Sequence, residues 1–457
     1  MNMRTILLIV LIGIFFEVKG QTVEWLTDPA KHILFQKQPV TAGGTADVTI
    51  KVDGGQAYQA IDGYGWALTG GSAQHIVRMS ATARAALLRE LFGTTGNGIG
   101  GSYLRVSIGA SDLNDHVFSY DDLPAGQTDT GLAHFNLGPD RVDVIPVLKE
   151  ILKINPTIKI LGSPWSAPTW MKTNNDTRGG SLKPEYYGAY ARYFVKYIKA
   201  MAAAGVRIDA ITIQNEPLHP GNNPSMYMPA PEQAAFVKVL GPAFRRAGIR
   251  TKIILYDHNC DKPEYPISIL DDPEARKYVD GSAFHLYTGK IEALSEVHKA
   301  YPTKNLYFTE QWVGAPGDLS KDIAEHVEKL IIGATRNWSR NVIEWNLAAD
   351  PNSNPHTDRG GCDRCLGAVT IDGDKVTRNP AYYIVAHAAK FVRPGSVRIA
   401  SDVSERSLPN VAFRTPTGKK VLIVLNTGTS DRGFVITDGA GRYTTTLPAG
   451  AVATYVW

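Results

Sequence analysis

The chain has 457 residues, of which 44% are hydrophobic and 20% charged, with a formal net charge of +4. One hydrophobic core rarely serves more than about 250–300 residues, so two folded units are expected. The positive charge is mild and scattered, which argues against nucleic acid or an anionic membrane as the partner.

The chain opens MNMRTILLIVLIGIFFEVKGQT, with Arg4 as a basic flank and Ile6 to Phe16 as a short apolar run. Val18 and Gly20 suit a cleavage site before Gln21. The run is shorter than the roughly 20 residues a membrane span needs. Residues 1–20 are therefore expected to be a secretory signal, and the mature protein secreted or periplasmic, without stable membrane insertion. Losing Arg4, Glu17 and Lys19 leaves +3.

Residues 21–56 contain short strands separated by turns. From Ala57 the pattern changes to strands alternating with helices. Apolar or alternating runs lie at Ile61 to Ala67, Ser102 to Ile108, Ile158 to Ser163 and Ala210 to Gln214. Four more follow at Lys252 to Tyr256, Ser282 to His285, Asn305 to Thr309 and Val342 to Asn346. Helical periodicity separates several of them, at Ser80 to Leu91, Pro184 to Ala204, Glu232 to Ala247 and Lys321 to Thr335. Eight strands alternating with helices predict an α/β fold, a (β/α)8 TIM barrel over residues 57–390. A doubly wound sheet lacks its Gly-rich phosphate loop here. Residues 391–457 contain only short strands and turns. They predict a C-terminal β-sandwich, completed by the N-terminal strands of residues 21–56.

Three cysteines occur, Cys260, Cys362 and Cys365. In an exported protein the GGCDRC pair suits a small disulfide-closed loop, with Cys260 a buried thiol. Zinc would need two further ligands, with His258 and His356 the nearest in sequence, and no second motif of ligand spacing accompanies them.

The barrel rule places functional side chains at the carboxyl ends of strands. ITIQNEP ends strand four at Asn215 and Glu216, and LYFTEQW ends strand seven at Glu310. Two carboxyls facing each other across a barrel mouth suit glycoside hydrolysis, one protonating the leaving oxygen and the other attacking the anomeric carbon. Arg105, His285 and Tyr287 are expected to donate hydrogen bonds to the nucleophile, and Asn215 to bind a sugar 2-hydroxyl. Asp112 follows strand two, while Trp165 and Trp345 offer flat walls for sugar rings. Each also has a plainer explanation. A strand-end Glu often only caps, Arg105 and Asp112 suit a structural ion pair, and the histidine, tyrosine and tryptophans suit core packing.

The motifs IDGYGWALTGGSA, YLRVSIGASDL, LGSPWSAPTWMKTN, GSLKPEYY, ITIQNEP, GSAFHLY, LYFTEQWVG and VIEWNLAAD occur in that order. Together they resemble glycoside hydrolase family 30, the glucosylceramidase-like family, over nearly the whole mature chain. The resemblance implies a barrel with a side β-sandwich and a retaining mechanism, with Glu216 as acid/base and Glu310 as nucleophile. It implies Arg105, Asp112, Trp165, Asn215, His285, Tyr287 and Trp345 as substrate-pocket residues, and neither a metal nor an organic cofactor. ALTGGSA and the loop DPNSNPHTDRGGCDRCLGA look more like the branch acting on β-1,6-glucan than the one cleaving glucosylceramide. The expectation is thus a secreted endo-β-1,6-glucanase. An exo-acting β-glucosidase or glucosylceramidase is the near alternative. A non-catalytic carbohydrate-binding protein would have no need of both glutamates.

Overall fold

The computed structural model describes residues 22–39, 46–439 and 441–457. The expected signal segment, residues 1–20, lies outside these. Eight parallel strands close into a barrel. In chain order they are Gly63–Ala67, Tyr103–Ser107, Lys159–Ser163 and Ala210–Thr212, then Lys252–Cys260, Val279–Gly289, Asn305–Glu310 and Ser339–Glu344. All eight expected strands are present. The fifth and sixth outrun their apolar cores, whereas the fourth leaves the ladder after Thr212. Beyond it the backbone bonds outward instead: Asn215 N–H donates to the Pro164 carbonyl and Glu216 N–H to that of Asp257.

The expected helices lie outside the barrel. Ala81–Phe92 starts at Ser80, whose Oγ accepts from the Ala83 N–H and satisfies one free donor of the first turn. Tyr187–Ala203 buries Tyr190, Phe194 and Ile198, the four-residue repeat visible in the sequence. The segment from Leu319 begins as an α-helix and widens into a π-helix over Val327–Ala334. Inside the barrel Tyr103, Leu161, Ala210, Ile254, Ala283, Tyr307 and Ile343 meet in one apolar cluster, so the interior is a packed core rather than a channel.

Nine strands build the second unit: Val23–Asp28, Ile33–Pro39, Val48–Ala60, Val397–Ser401, Asn410–Arg414, Lys420–Leu425, Arg432–Asp438, Gly441–Leu447 and Val452–Val456. Numbered in that order, they are laid side by side as 2-1-9-6-5-4-3-7-8. The 13-residue third strand pairs with both the fourth and the seventh, and so carries the ladder from one layer to the other. Leu26, Ile50, Leu422, Phe434 and Tyr455 are among the residues buried between the layers. The N-terminal strands therefore complete the sandwich. It docks on the barrel through His387 of helix Pro380–Ala389, whose ring nitrogens bond Thr27 and Thr454 at 2.8 and 2.9 Å. Burial drives His387 down to about 3, so it remains a neutral linker. Among the described residues no helix is long and apolar enough to cross a membrane.

Candidate active site

Successive inward positions on a strand are two residues apart. Two residues beyond the apolar cluster the barrel lining turns polar, with Arg105, Ser163, Thr212, His285 and Thr309 all buried. Their shared partner is Asp257, at 0% side-chain exposure. Arg105 donates to it at 2.8 Å, Ser163 at 2.6 Å, Thr212 at 2.7 Å, Thr309 at 2.6 Å, and His285 Nε2 lies 3.1 Å away. Burial opposes the Asp257 charge, but Arg105 and His285 hold the carboxyl well below the ordinary range. Arg105 Nη1 donates to Glu310 Oε2 at 2.5 Å, and Nη2, besides Asp257, to Asn215 Oδ1 at 2.6 Å.

Both strand-end glutamates face this layer. Glu310 accepts from Arg105 on one oxygen and from the Tyr287 hydroxyl, 2.9 Å away, on the other. Glu216 accepts on Oε1 from His285 Nδ1 at 3.3 Å, and that nitrogen lies 3.7 Å from Glu310 Oε1. These two legs, 3.3 and 3.7 Å, cap the gap between the two oxygens at about 7 Å. Glu216 sits at φ 43°, and Tyr256 and Asp257 at φ 70° and 67°, left-handed conformations that cost a non-glycine residue energy. The surrounding hydrogen bonds hold that strain where the two carboxyls meet.

The charges are strongly coupled. Burial raises Glu310; His285 and Arg105 act against it, and Glu216 and Asp257 add to it, leaving it above the usual range. Burial also works against the Glu216 anion, but donation from His285 and the charges of His285, His258 and His219 bring it below. Part of that pull exists only in acid, because burial keeps His258 neutral down to about 4. His285 is pushed up to about 9: burial alone would lower it, and Glu310, Asp257 and Glu216 reverse the sign. At neutral pH the two glutamates consequently titrate as a pair beside one imidazolium.

Above them lies a cleft of about 470 Å³, lined in part by Asp112, Glu216, His258, Tyr287, Glu310 and Trp312. A hollow of similar size, about 510 Å³, opens at the opposite end of the barrel beside Val206 and Asp209 and holds neither glutamate. All nine residues expected at the site converge on the first cleft or on the layer beneath it, but several contacts differ from expectation. Arg105 is not paired with Asp112; it is shared among Asp257, Glu310 and Asn215. Asp112 is instead raised to about 8 by burial and by the two nearby glutamates. His285 donates to Glu216 rather than to Glu310, because Glu216 is the nearer of the two. Trp165 and Trp345 stack on each other at 5.4 Å, and the Arg105 guanidinium lies 4.8 Å from the Trp165 ring centre. At 2% and 4% exposure they cover the arginine more than they present a face to a ligand. The half-buried Trp312 is the more open aromatic wall. Trp170 faces elsewhere, donating to Asp121.

The loop after strand eight spans the mouth. Asp358 accepts from Asn223, and Arg359 pairs with Asp176 at 2.9 Å. Cys365–Leu366 forms a short antiparallel ladder with Val313–Gly314. Cys362 and Cys365 form a disulfide and both line the cleft, so they are not half of a zinc site.

Asp257 and Trp312 are site residues the sequence patterns did not single out, and His258 stands out there only as a candidate zinc ligand beside the cysteines. Trp312 stands two residues past Glu310 in a motif already noted, and its spacing was a usable signal. Asp257 and His258 lie on the fifth strand, beyond the apolar run that stops at Tyr256.

Residues 61–392 match the model of the glycosyl hydrolase family 30 TIM-barrel domain, and residues 395–455 that of the family 30 beta sandwich domain. An endo-1,6-beta-D-glucanase of Aspergillus fumigatus is 35% identical over 424 residues, covering 87% of this chain and 85% of the relative. The lysosomal acid glucosylceramidase of Mus musculus is 32% identical over 429 residues, covering 88% and 81%. The solved structure of an endo-beta1,6-glucanase superposes with a TM-score of 0.89 at 35% identity, covering 96% of this chain and 99% of that one.

Proposed function

The chain belongs to glycoside hydrolase family 30, and on that premise we propose that it is a retaining endo-β-1,6-glucanase with Glu216 as acid/base and Glu310 as nucleophile. The observation that carries the mechanism is the pair of buried glutamates on either side of one imidazole. An Oε1–Oε1 gap of at most about 7 Å includes the separation of about 5–5.5 Å used for direct attack and excludes most of the range used for inversion. The choice of β-1,6-glucan rests on the likeness to the glucanases, which spans both domains.

The hydrogen bonds divide the roles. Both Glu310 oxygens already accept, one from an arginine that can only donate, so this carboxylate is kept ionised and aimed. Glu216 accepts on Oε1, and among the described residues no donor reaches Oε2, which leaves that oxygen for the shared proton. Of the charges that lower Glu216, that of His258 is gone above about pH 4, while the His285 imidazolium persists. Within this coupled pair the hydrogen bonds favour Glu216 as the member that carries the proton. Glu216 then protonates the glycosidic oxygen as Glu310 attacks the anomeric carbon, and the C–O bond to the leaving chain breaks. In the second half Glu216 takes a proton from water, the hydroxide oxygen bonds to the anomeric carbon, and Glu310 departs, restoring the β configuration. Asn215 Oδ1 is held by Arg105, which leaves its amide N–H groups for the sugar 2-hydroxyl. Asp112, Tyr287, Trp165 and Trp345 complete the pocket, with Tyr287 and His285 acting through the glutamates they touch. The substrate is a glycan, and the enzyme acts outside the cytoplasm; the leader pattern and the disulfide both favour an oxidising compartment.

A product profile tests this, run on linear β-1,6-glucan beside an aryl β-glucoside and glucosylceramide. Early release of mixed-length oligosaccharides from the glucan is the expected result. Glucose alone, or turnover confined to the glucoside or the lipid, would move the assignment to an exo-acting β-glucosidase or glucosylceramidase.

A further inference from the structure

We propose that Glu216, His258 and His285 form a binding site for a divalent transition-metal ion of borderline softness, zinc being the representative case, and that its occupation blocks the enzyme reversibly. The donor atoms of these three residues all lie within 4.8 Å of one another, and all three residues are buried. Glu216 Oε1 is 3.3 Å from His285 Nδ1 and 3.9 Å from His258 Nδ1. Bonds of about 2.0–2.2 Å in a tetrahedral shell put neighbouring donors roughly 3.3–3.6 Å apart. The Glu216–His285 pair already fits, and the Glu216–His258 pair has to close by a few tenths of an ångström from 3.9 Å. The histidine nitrogens, within 4.8 Å of each other, have to close by about an ångström or a little more at most.

Two observations separate this cluster from a chance gathering of polar groups. First, His258 Nδ1 is buried without a hydrogen-bond partner among the described residues, and it points at Glu216. An orphaned buried nitrogen costs stability, and a cation supplies its missing partner. Second, the other ring nitrogen of His285 lies 3.1 Å from Asp257 Oδ1. A carboxylate behind the far nitrogen orients a metal-binding imidazole and makes its ligating nitrogen more basic. Asp257 is itself fixed by Arg105, Ser163, Thr212 and Thr309, so His285 is held rigidly. Glu310 Oε1 lies 3.7 Å from the same His285 nitrogen, at the margin of the cluster rather than within it. Two imidazoles and one carboxylate suit zinc, copper or cobalt; magnesium prefers an all-oxygen shell. Binding exchanges the proton on His285 Nδ1 for the metal, and that proton leaves to the buffer.

A metal here engages Glu216 directly and competes with substrate for it. The inhibition rests on the reaction proposed above, whereas the binding does not. Equilibrium dialysis of the full chain against zinc chloride, with bound metal counted by elemental analysis, reads the binding alone. The expected result is one zinc per chain, weakened about tenfold or more in both His258→Gln and Glu216→Gln. Melting of each variant without metal checks that it is folded. Cobalt in place of zinc should give the visible bands of a low-coordinate ion, displaced by zinc and not by magnesium. No binding at millimolar zinc, or binding that both folded variants leave unchanged, overturns the proposal. If the dialysis succeeds while zinc leaves glycan turnover untouched, the metal site stands and the assignment of Glu216 as acid/base falls.

Discussion

Two layers of the same barrel behave in opposite ways. The lower one joins Tyr103, Leu161, Ala210, Ile254, Ala283, Tyr307 and Ile343 into an apolar plug. The upper one, two residues further along the same strands, reads Arg105, Ser163, Thr212, His285, Thr309 and Trp345. Burial is equally complete in both, yet only the upper layer contains charge, and there each charge is bonded to at least one other. A packed layer tolerates the loss of one member as a cavity. A bonded layer of charges passes the loss to every neighbour, because one orphaned ion in a low dielectric costs more than the pair contributes. The apolar plug therefore holds the fold, and the charged layer sets the state of the two glutamates.

Breaking the upper layer should cost activity first. Glu310→Gln removes the proposed nucleophile and is expected to lower kcat on the order of 10⁴-fold or more, with the fold intact by circular dichroism. A variant that keeps a tenth of wild-type turnover would defeat the assignment. Asp257→Asn comes next. The side chain touches no substrate in the proposed mechanism, so its effect must travel through Arg105 and His285. We expect kcat to fall on the order of 10²-fold with a smaller change in KM, and stability to drop by about 3–5 kcal/mol. The imidazolium should also lose its proton below its present value of about 9, moving the alkaline limb of the pH–rate profile to lower pH. An unshifted limb would mean that Asp257 is merely structural.

The same pair of layers explains what was legible in the sequence. Alternation in YLRVS, LGS, AFHLY and LYFTE places the inward residues two apart, so Arg105, Ser163, His285 and the approach to Glu310 follow from strand periodicity. Strand five breaks the rule. From Ile254 the next inward residue is Asp257, three along, because Tyr256 and Asp257 both turn to positive φ and the pairing register with strand six slips there. Period-two counting puts Tyr256 inward and leaves the central carboxylate unseen. Trp165 and Trp345 were legible as site residues but not as a stacked lid on Arg105, since residue type reveals composition and not which ring meets which.

The lower layer sharpens the contrast. Leu161→Ala leaves a cavity under Arg105 and is expected to cost about 2–5 kcal/mol of stability, read by denaturant midpoint, while kcat stays within a few-fold. A collapse of kcat at unchanged stability would dissolve the distinction between the layers. Asp112 tests the reverse coupling at the cleft wall. Its carboxyl is raised to about 8, above the unfolded value near 4. The folded state thus binds the extra proton, so the contribution of Asp112 to stability is fully present below about pH 4 and is lost as pH climbs to about 8. Asp112→Asn removes that slope. The variant should be the more stable protein at pH 8 and the weaker enzyme, with the two melting curves converging in acid.

The smallest effect is expected where neither layer reaches. The Cys362–Cys365 disulfide closes a loop with a sequence separation of only 3, so chain entropy gives it about 2 kcal/mol at most. Replacing both cysteines with serine should barely move global unfolding, since the loop keeps its ladder to Val313–Gly314 and its contacts to Asn223 and Asp176. What the bridge does shape is the cleft wall beside Trp312. The double variant should therefore raise KM for long glucans a few-fold while leaving an aryl glucoside, which occupies only the sugar site at the glutamates, nearly unaffected. Equal losses on both substrates would place the disulfide's influence in the charged layer, and the separation between wall and catalytic floor would have to be redrawn.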